Sequence, residues 1–118
     1  MNVAGIVIKS EREIALMRRA GQIVAKVLEA VRERVRPGIT TGELDELAEH
    51  IIRVEGAIPS FKGYDGGGGR PPYPASICAS VDHEVVHGIP SRQRMLEEGQ
   101  ILSVDVGAIY QGYHGDAA

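Results

Sequence analysis

The stretch that decides the fold is Gln100-Ile-Leu-Ser-Val-Asp105-Val-Gly-Ala-Ile-Tyr110-Gln-Gly-Tyr-His-Gly-Asp116-Ala-Ala118. Apolar residues occupy every even position from 102 to 110, which is the two-residue period of a β-strand. Gln111-Gly112 then forms a two-residue turn, because glycine adopts positive φ without steric cost. We therefore predict a β-hairpin whose antiparallel strands flank Gln111-Gly112.

The register of this hairpin brings two aspartates to one face of the sheet. Tyr110 lies opposite Tyr113 and Gly107 opposite Asp116, so Asp116 shares a face with Asp105. The two backbones are then about 7–8 Å apart on the diagonal. Two such carboxylates repel each other unless a cation lies between them, and hard divalent cations prefer oxygen ligands. The hairpin therefore predicts a metal site, with a solvated turn bearing two exposed aspartates as the alternative.

Composition and length indicate one soluble globular domain. The chain has 118 residues, of which 43% are hydrophobic and 25% charged, so it can bury a core. A formal charge of −3 and an aromatic content of 4% argue against nucleic-acid binding. The single cysteine, Cys78, excludes an internal disulfide and fits a reducing compartment. The sequence has neither an apolar run of about 18 residues nor a signal peptide, so we expect a cytoplasmic protein without a membrane anchor.

Two amphipathic helices are predicted in the first half of the chain. Ser10 with Glu13, and Thr40 with Glu43, have the spacing of helix-starting capping boxes, and Pro37-Gly38 ends the first helix. Apolar residues recur at steps of three and four, which favours two helices packed on an antiparallel sheet over a coiled coil. The predicted core-facing residues are Ile14, Met17, Gly21, Val24, Leu28, Val31 and Val35 in the first helix, and Leu44, Leu47, Ala48, Ile51 and Ile52 in the second.

A loop rich in glycine and proline follows the helices. It contains four consecutive glycines at 66–69, which disfavour both helix and central strand. The Gly-Lys-Ser/Thr ending of a phosphate-binding loop is missing. Three of the five aromatic residues, Phe61, Tyr64 and Tyr73, lie in or beside this loop. We predict a mobile lip whose aromatic rings line a pocket, with a flexible surface loop as the alternative.

A single histidine stands out in the segment after the loop. Residues 76–81 predict a strand, followed by Asp82-His-Glu-Val-Val-His87-Gly-Ile-Pro90. His83 and His87 have a zinc-ligand spacing only on a helix, which Val85-Val86 and the Gly-Ile-Pro exit disfavour. His87 is therefore predicted at a strand end or turn, in a hydrogen-bonding or proton-shuttling role.

Three of these motifs together resemble bacterial type I methionine aminopeptidases. They are Glu84-Val-Val-His87-Gly-Ile-Pro90, Val104-Asp105-Val-Gly107 and Gly112-Tyr-His-Gly-Asp116. The segments 8–21 and 37–44 are similar to the family as well, so the match extends over essentially the whole chain in the family's order. Related prolidases share the carboxylate pair, whereas His-Gly-Ile-Pro and Tyr-His-Gly-Asp are particular to methionine aminopeptidases.

The resemblance implies a fold, a reaction and roles for individual residues. The fold would be the α/β (α+β) pita-bread architecture, and the reaction the removal of the initiator methionine from nascent proteins. Asp105 would chelate one metal, Asp116 would bridge two, and His87 would hydrogen-bond the scissile peptide. Two divalent ions (Co²⁺, Mn²⁺, Fe²⁺ or Zn²⁺) would activate hydroxide for attack on the first peptide bond. The pocket for the methionine side chain would be lined by Phe61, Tyr64, Tyr73 and Cys78, with Cys78 as a packing residue.

The same resemblance implies that residues 1–118 form the N-terminal half of a catalytic domain, cut after the first metal-ligand hairpin. In the family, one histidine and two glutamates from a second half complete the site, so we expect the 118-residue chain alone to be inactive. The intact enzyme would be monomeric and would associate transiently with the ribosome. Two alternatives are a half-domain that acts as a binding or assembly module, and a proline-specific aminopeptidase or prolidase.

Overall fold

The computed structural model describes residues 2–3 and 5–118. Along the chain lie β1 (Asn2–Val3), β2 (Ile6–Val7), α1 (Glu11–Arg34), α2 (Thr41–Val54), β3 (Ile58–Pro59), β4 (Ile77–Val81), β5 (Leu102–Tyr110) and β6 (Tyr113–Ala117). Both helices pack on one face of an antiparallel sheet, which confirms the predicted α+β class. Among the described residues, no helix combines the length and apolar character needed to cross a membrane.

Both helices begin at the predicted capping boxes. The backbone N–H of Glu13 donates to Ser10 Oγ at 3.2 Å, and the Ser10 N–H donates to Glu13 Oε1 at 3.0 Å. Thr40 and Glu43 make the same reciprocal pair at the start of α2. Each pair satisfies amide groups that a helix leaves unpaired at its N-terminus, so the sequence alone determines where both helices begin.

The buried face of α1 differs from the predicted face. Ile14 is 45% exposed and Met17 39% exposed, and the exposed face also includes Gly21 and Val35, so these four core assignments were wrong. The buried residues are Ala20, Ile23, Val24, Val27 and Val31.

The cause is a close backbone approach between α1 and β6. A Cβ placed on Gly115 would lie 2.7 Å from the carbonyl carbon of Ala20 and from the nitrogen of Gly21. The helix backbone therefore lies directly on Gly115, and this contact turns the side of α1 that bears Ala20 toward the sheet. Only a glycine in the strand allows the two backbones to come this near.

The sheet is organised around β5. Strand β4 pairs with residues 102–106 of β5, β3 pairs with residues 108–109 on the same edge, and β6 pairs with residues 106–110 on the opposite edge. Gln111 and Gly112 have φ of 46° and 88°, the paired positive values of a type I′ turn. Gly107 lies opposite Asp116 and Tyr110 opposite Tyr113, so the predicted hairpin register is confirmed.

The two faces of the sheet separate the core from the candidate site. Even-numbered residues of β5 and odd-numbered residues of β4 face the helices, where Val106 and Ile77 are fully buried with Ile23, Leu44 and Ile52. The opposite face carries the other residues of β4 and β5 and the even-numbered residues of β6. Among them are Cys78, Ser80, Ser103, Asp105, Gly107, His114 and Asp116. Parity therefore brings the predicted metal ligands to the side of the sheet that carries no helix.

Candidate metal centre

The two aspartates meet on the helix-free face. Asp105 lies in β5 and Asp116 in β6, and their side chains approach within hydrogen-bonding reach of each other. Burial and the neighbouring Asp105 carboxyl raise the pKa of Asp116 to about 6. This shift is the expected result when two carboxylates share one site without a counter-charge, because ionising the second costs electrostatic energy.

One oxygen of the pair lacks a partner. Asp105 Oδ1 is buried and has no hydrogen-bond partner among the described residues. Buried polar atoms nearly always have a partner in folded proteins, so an unpartnered carboxylate oxygen beside a second carboxylate fits a ligand of a divalent cation. The donor set is incomplete, since the described part of the chain holds no cluster of three or more His, Cys, Asp or Glu side chains able to bind a metal. The two aspartates thus fit a hard divalent ion but supply only part of its coordination.

His87 lies near Asp105. It follows β4 with a left-handed backbone, at φ 60°, and its side chain is exposed. Non-glycine residues in this conformation are uncommon and are concentrated at functional sites. His87 and Asp105 line the same small cavity of about 110 Å³, together with Cys78, Ser80, Val85, Val86, Ser103, Val104 and Ala118. The structure therefore brings the predicted histidine and the predicted metal ligand to one concave surface.

Two of the three predicted pocket aromatics lie together next to the aspartates. The rings of Phe61 and Tyr73 pack edge to face, with centroids 6.4 Å apart. Phe61 lies on the sheet at Gly107, where an added Cβ would be 3.1 Å from Phe61 Cε1. Tyr73 donates its hydroxyl to the carbonyl of Ile77 at 2.9 Å. Tyr64 is 67% exposed, and its backbone rather than its ring joins Tyr73, so its place in a pocket stays a prediction.

Cys78 is buried directly opposite Asp105 in the β4–β5 pair. Burial raises the pKa of its thiol, with a further increase from the Asp105 and Asp116 carboxylates. A thiol held protonated in this way is a poor nucleophile, because the thiolate is the reactive form. The environment is consistent with the predicted packing role of Cys78.

Two contacts of β6, one on each side of the strand, were not predicted from the sequence. His114 Nδ1 lies 3.0 Å from Ser60 Oγ, which ties β6 to the segment that carries Phe61. On the helix side of β6, Tyr113 donates its hydroxyl to Glu13 Oε2 at 2.7 Å. Strand parity could have placed His114 with Asp116, but no local signal identifies Ser60 as its partner 54 residues away.

Comparison with known proteins agrees with this geometry. The profile of metallopeptidase family M24 matches residues 15–118, and the chain belongs to that family. It is 54% identical to the methionine aminopeptidase of Clostridium acetobutylicum over 113 residues, which cover 96% of this chain and 43% of that protein. It is 51% identical to methionine aminopeptidase 1 of Bacillus subtilis, with the same coverage. The match lies in the N-terminal part of these relatives, and the chain spans less than half their length.

Solved structures show the same relationship. The crystal structure of methionine aminopeptidase from Thermotoga maritima superposes with a TM-score of 0.86 at 44% identity, covering 94% of this chain and 42% of that one. The X-Pro aminopeptidase from the same species gives a TM-score of 0.68 at 25% identity, covering 92% of this chain and 27% of that one. The predicted pita-bread fold and the resemblance to methionine aminopeptidases are therefore confirmed.

Proposed function

We propose that this chain supplies one half of the metal centre of a methionine aminopeptidase that removes the initiator methionine from nascent proteins. The observation that carries the proposal is the convergence of Asp105 and Asp116, with a buried Asp105 oxygen that no described group satisfies. Membership in a metallopeptidase family supports metal-dependent peptide hydrolysis as the reaction class. Two divalent ions, drawn from Co²⁺, Mn²⁺, Fe²⁺ and Zn²⁺, would supply Lewis-acid activation of water when bound.

The chain's own residues divide into three roles in this proposal. Asp105 and Asp116 hold the ions through carboxylate oxygens. His87, which lines the same cavity as Asp105, donates or accepts a hydrogen bond at the scissile peptide and so orients it. Phe61, Tyr73 and Cys78 form an apolar surface for an unbranched side chain such as methionine, and Tyr64 belongs to this group by prediction alone.

The first test is metal binding by the chain itself. Titrating Mn²⁺ into the metal-free chain by calorimetry should show weak binding, with a Kd on the order of 10⁻³ M, because two carboxylates make an incomplete site. Asp105→Asn and Asp116→Asn should each abolish the signal, while Asp65→Asn, at an exposed loop aspartate, should leave it unchanged. Equal binding by all four proteins would contradict the proposed site.

The second test supplies the missing donors. Residues 1–118 replace the matched region of Bacillus subtilis methionine aminopeptidase 1, which is 51% identical over 113 residues. The chimera should hydrolyse Met-Ala-Ser in the presence of metal, whereas the 118-residue chain alone should not. Preference for Ala-Pro-Ala would favour the proline-specific alternative, and a folded, metal-loaded chimera without hydrolysis would favour a binding or assembly module.

The cellular part of the proposal follows from the reaction. We propose that nascent proteins with an N-terminal methionine are the substrates and that the intact enzyme acts in the cytoplasm, in transient association with the ribosome. We propose that the intact enzyme is a monomer and contains a second half that provides the remaining histidine and two glutamates. Sedimentation of the active protein, with and without ribosomes, tests the monomeric state and the ribosome association.

A further inference from the structure

The strained backbone of His87 has a visible cause in the residue that follows it. Gly88 is buried, and a Cβ at this position would overlap the carbonyl oxygen of Ala79 in β4. Gly88 is therefore packed directly against β4. The preceding residue, His87, has a left-handed backbone with φ 60°, which leads the chain into this contact. The position of His87 depends on how firmly Gly88 is attached to β4.

Three hydrogen bonds make that attachment. The N–H of Gly88 donates to Ser80 Oγ at 3.0 Å, in a contact that is buried. The carbonyl of Gly88 accepts from the N–H of Ala79 at 2.8 Å and from the Tyr73 hydroxyl at 3.4 Å. The Ser80 hydroxyl is the acceptor for the Gly88 N–H. One side chain therefore anchors the amide that joins Gly88 to His87.

Ser80 is well placed to transmit this anchoring to the metal site. It is 3% exposed and lies in β4 two residues from Cys78, which pairs with Asp105, and its own partner in β5 is Ser103. Ser80, His87 and Asp105 all line the same cavity. Strand β4 therefore connects Asp105, through Cys78 and the hydroxyl of Ser80, to Gly88, the residue that follows His87.

We propose that Ser80 is a positioning residue that holds His87 in its left-handed conformation at the cavity it shares with Asp105. This inference rests on the proposed function only for the role of His87. It does not require Ser80 to touch substrate or metal. Removing the hydroxyl leaves the buried Gly88 N–H without an acceptor, which costs free energy. The change that lowers this cost most easily is a movement of Gly88 away from β4, with His87 relaxing toward negative φ.

The chain offers a matched control in Ser76. Ser76 is also buried and also uses its hydroxyl in a hydrogen bond, to Glu49 Oε1 at 3.1 Å, on the approach to the same strand. Ser80→Ala and Ser76→Ala therefore delete the same group from similar surroundings. Only the first deletion removes the acceptor of Gly88.

The test uses the 118-residue chain without metal and reads the geometry by NMR. In Ser80→Ala, amide exchange at Gly88 should accelerate by about tenfold or more relative to the wild-type chain, because its buried hydrogen bond is lost. The coupling constants that report the φ of His87 should change, and its imidazole signals should shift. Both variants should unfold at a lower midpoint than the wild-type chain. Ser76→Ala, however, should leave Gly88 exchange and His87 couplings at wild-type values.

A milder variant covers the possibility that Ser80→Ala unfolds the chain. Ser80→Cys keeps a side chain of similar size but offers a weaker acceptor, so Gly88 exchange should increase by a smaller factor. Wild-type exchange and couplings in both Ser80 variants would overturn the proposal, as would equal changes in Ser76→Ala. These readouts need neither metal nor turnover, so they can fail while the chimera hydrolyses Met-Ala-Ser, and the reverse also holds.

Discussion

The two faces of the sheet give their side chains different environments. On the helix face, Ile77 and Val106 are fully buried among apolar side chains. On the opposite face, Asp105 keeps a buried oxygen without a partner, Asp116 has a raised pKa, and His87 adopts a strained backbone. The first face is arranged for the stability of the chain. The second holds groups in states that cost stability, which is the pattern expected where a ligand supplies what is missing.

The sharpest test of this difference is a truncation on the helix face. Ile77→Ala should lower the free energy of unfolding by about 3 kcal/mol, because it removes a buried side chain and leaves a cavity. Denaturant unfolding of the metal-free chain measures the change. Ile101→Ala, at a position 71% exposed, should change stability by less than about 0.5 kcal/mol. A small loss at Ile77 would show that this face is not the stabilising one.

The next effect concerns the contact between α2 and the loop that carries the pocket aromatics. Glu49 accepts hydrogen bonds from Lys62 Nζ at 2.6 Å, Arg53 Nε at 2.9 Å and the Ser76 hydroxyl at 3.1 Å. These bonds, that from Lys62 foremost, lower the pKa of Glu49 to about 2. A lowered pKa stabilises the fold above the unfolded value of 4.5, and this contribution is lost as the pH falls through the folded value.

Glu49→Gln should therefore lower the free energy of unfolding by about 1.5 kcal/mol at neutral pH, after allowance for partial exposure. The difference from the wild-type chain should shrink as the pH falls from 4.5 toward 2. Urea unfolding across this range measures it, with Glu98→Gln as an exposed control. A difference that is constant with pH would refute the assignment of the effect to the charge of Glu49.

A smaller effect of opposite sign is expected on the site face. Asp105→Asn should raise the free energy of unfolding of the metal-free chain by about 1 kcal/mol, because it removes the repulsion between the two carboxylates. The same substitution should weaken Mn²⁺ binding by at least about tenfold, since it removes a charged ligand. Thermal unfolding with and without Mn²⁺ measures both changes. Lower stability of the metal-free variant would place Asp105 with the structural residues instead.

The smallest effect is expected where the two regions meet at β6. Tyr113→Phe removes only the hydroxyl that donates to Glu13 Oε2 at 2.7 Å. Glu13 is half-buried and keeps its capping bonds to Ser10, so stability should fall only slightly. Unfolding midpoints of this variant and the wild-type chain measure the loss. A loss as large as that of Ile77→Ala would mean that α1 depends on β6 far more than this one bond indicates.

Local sequence patterns were enough for most of the predictions that the structure confirmed. The turn at Gln111-Gly112 and strand parity were sufficient to place Asp105 and Asp116 on one face, and the spacing of Ser10 and Glu13 was sufficient to start α1. The errors came from contacts between distant segments. Met17 was assigned to the core because nothing near it in the sequence reveals that α1 rests on Gly115. The strain at His87 was also hidden, because it depends on where Gly88 meets Ala79 and Ser80.

Gly115 has a further consequence for the proposed metal centre. It stands between His114 and Asp116, so the backbone of α1 acts as a mechanical stop behind the strand that carries a proposed ligand. Any side chain at position 115 would push β6 away from the helix by several tenths of an ångström, whereas metal–ligand distances tolerate only about 0.2 Å. The position of Asp116 is therefore set from the far side of the sheet, by a helix that lies on the face opposite the proposed metal site.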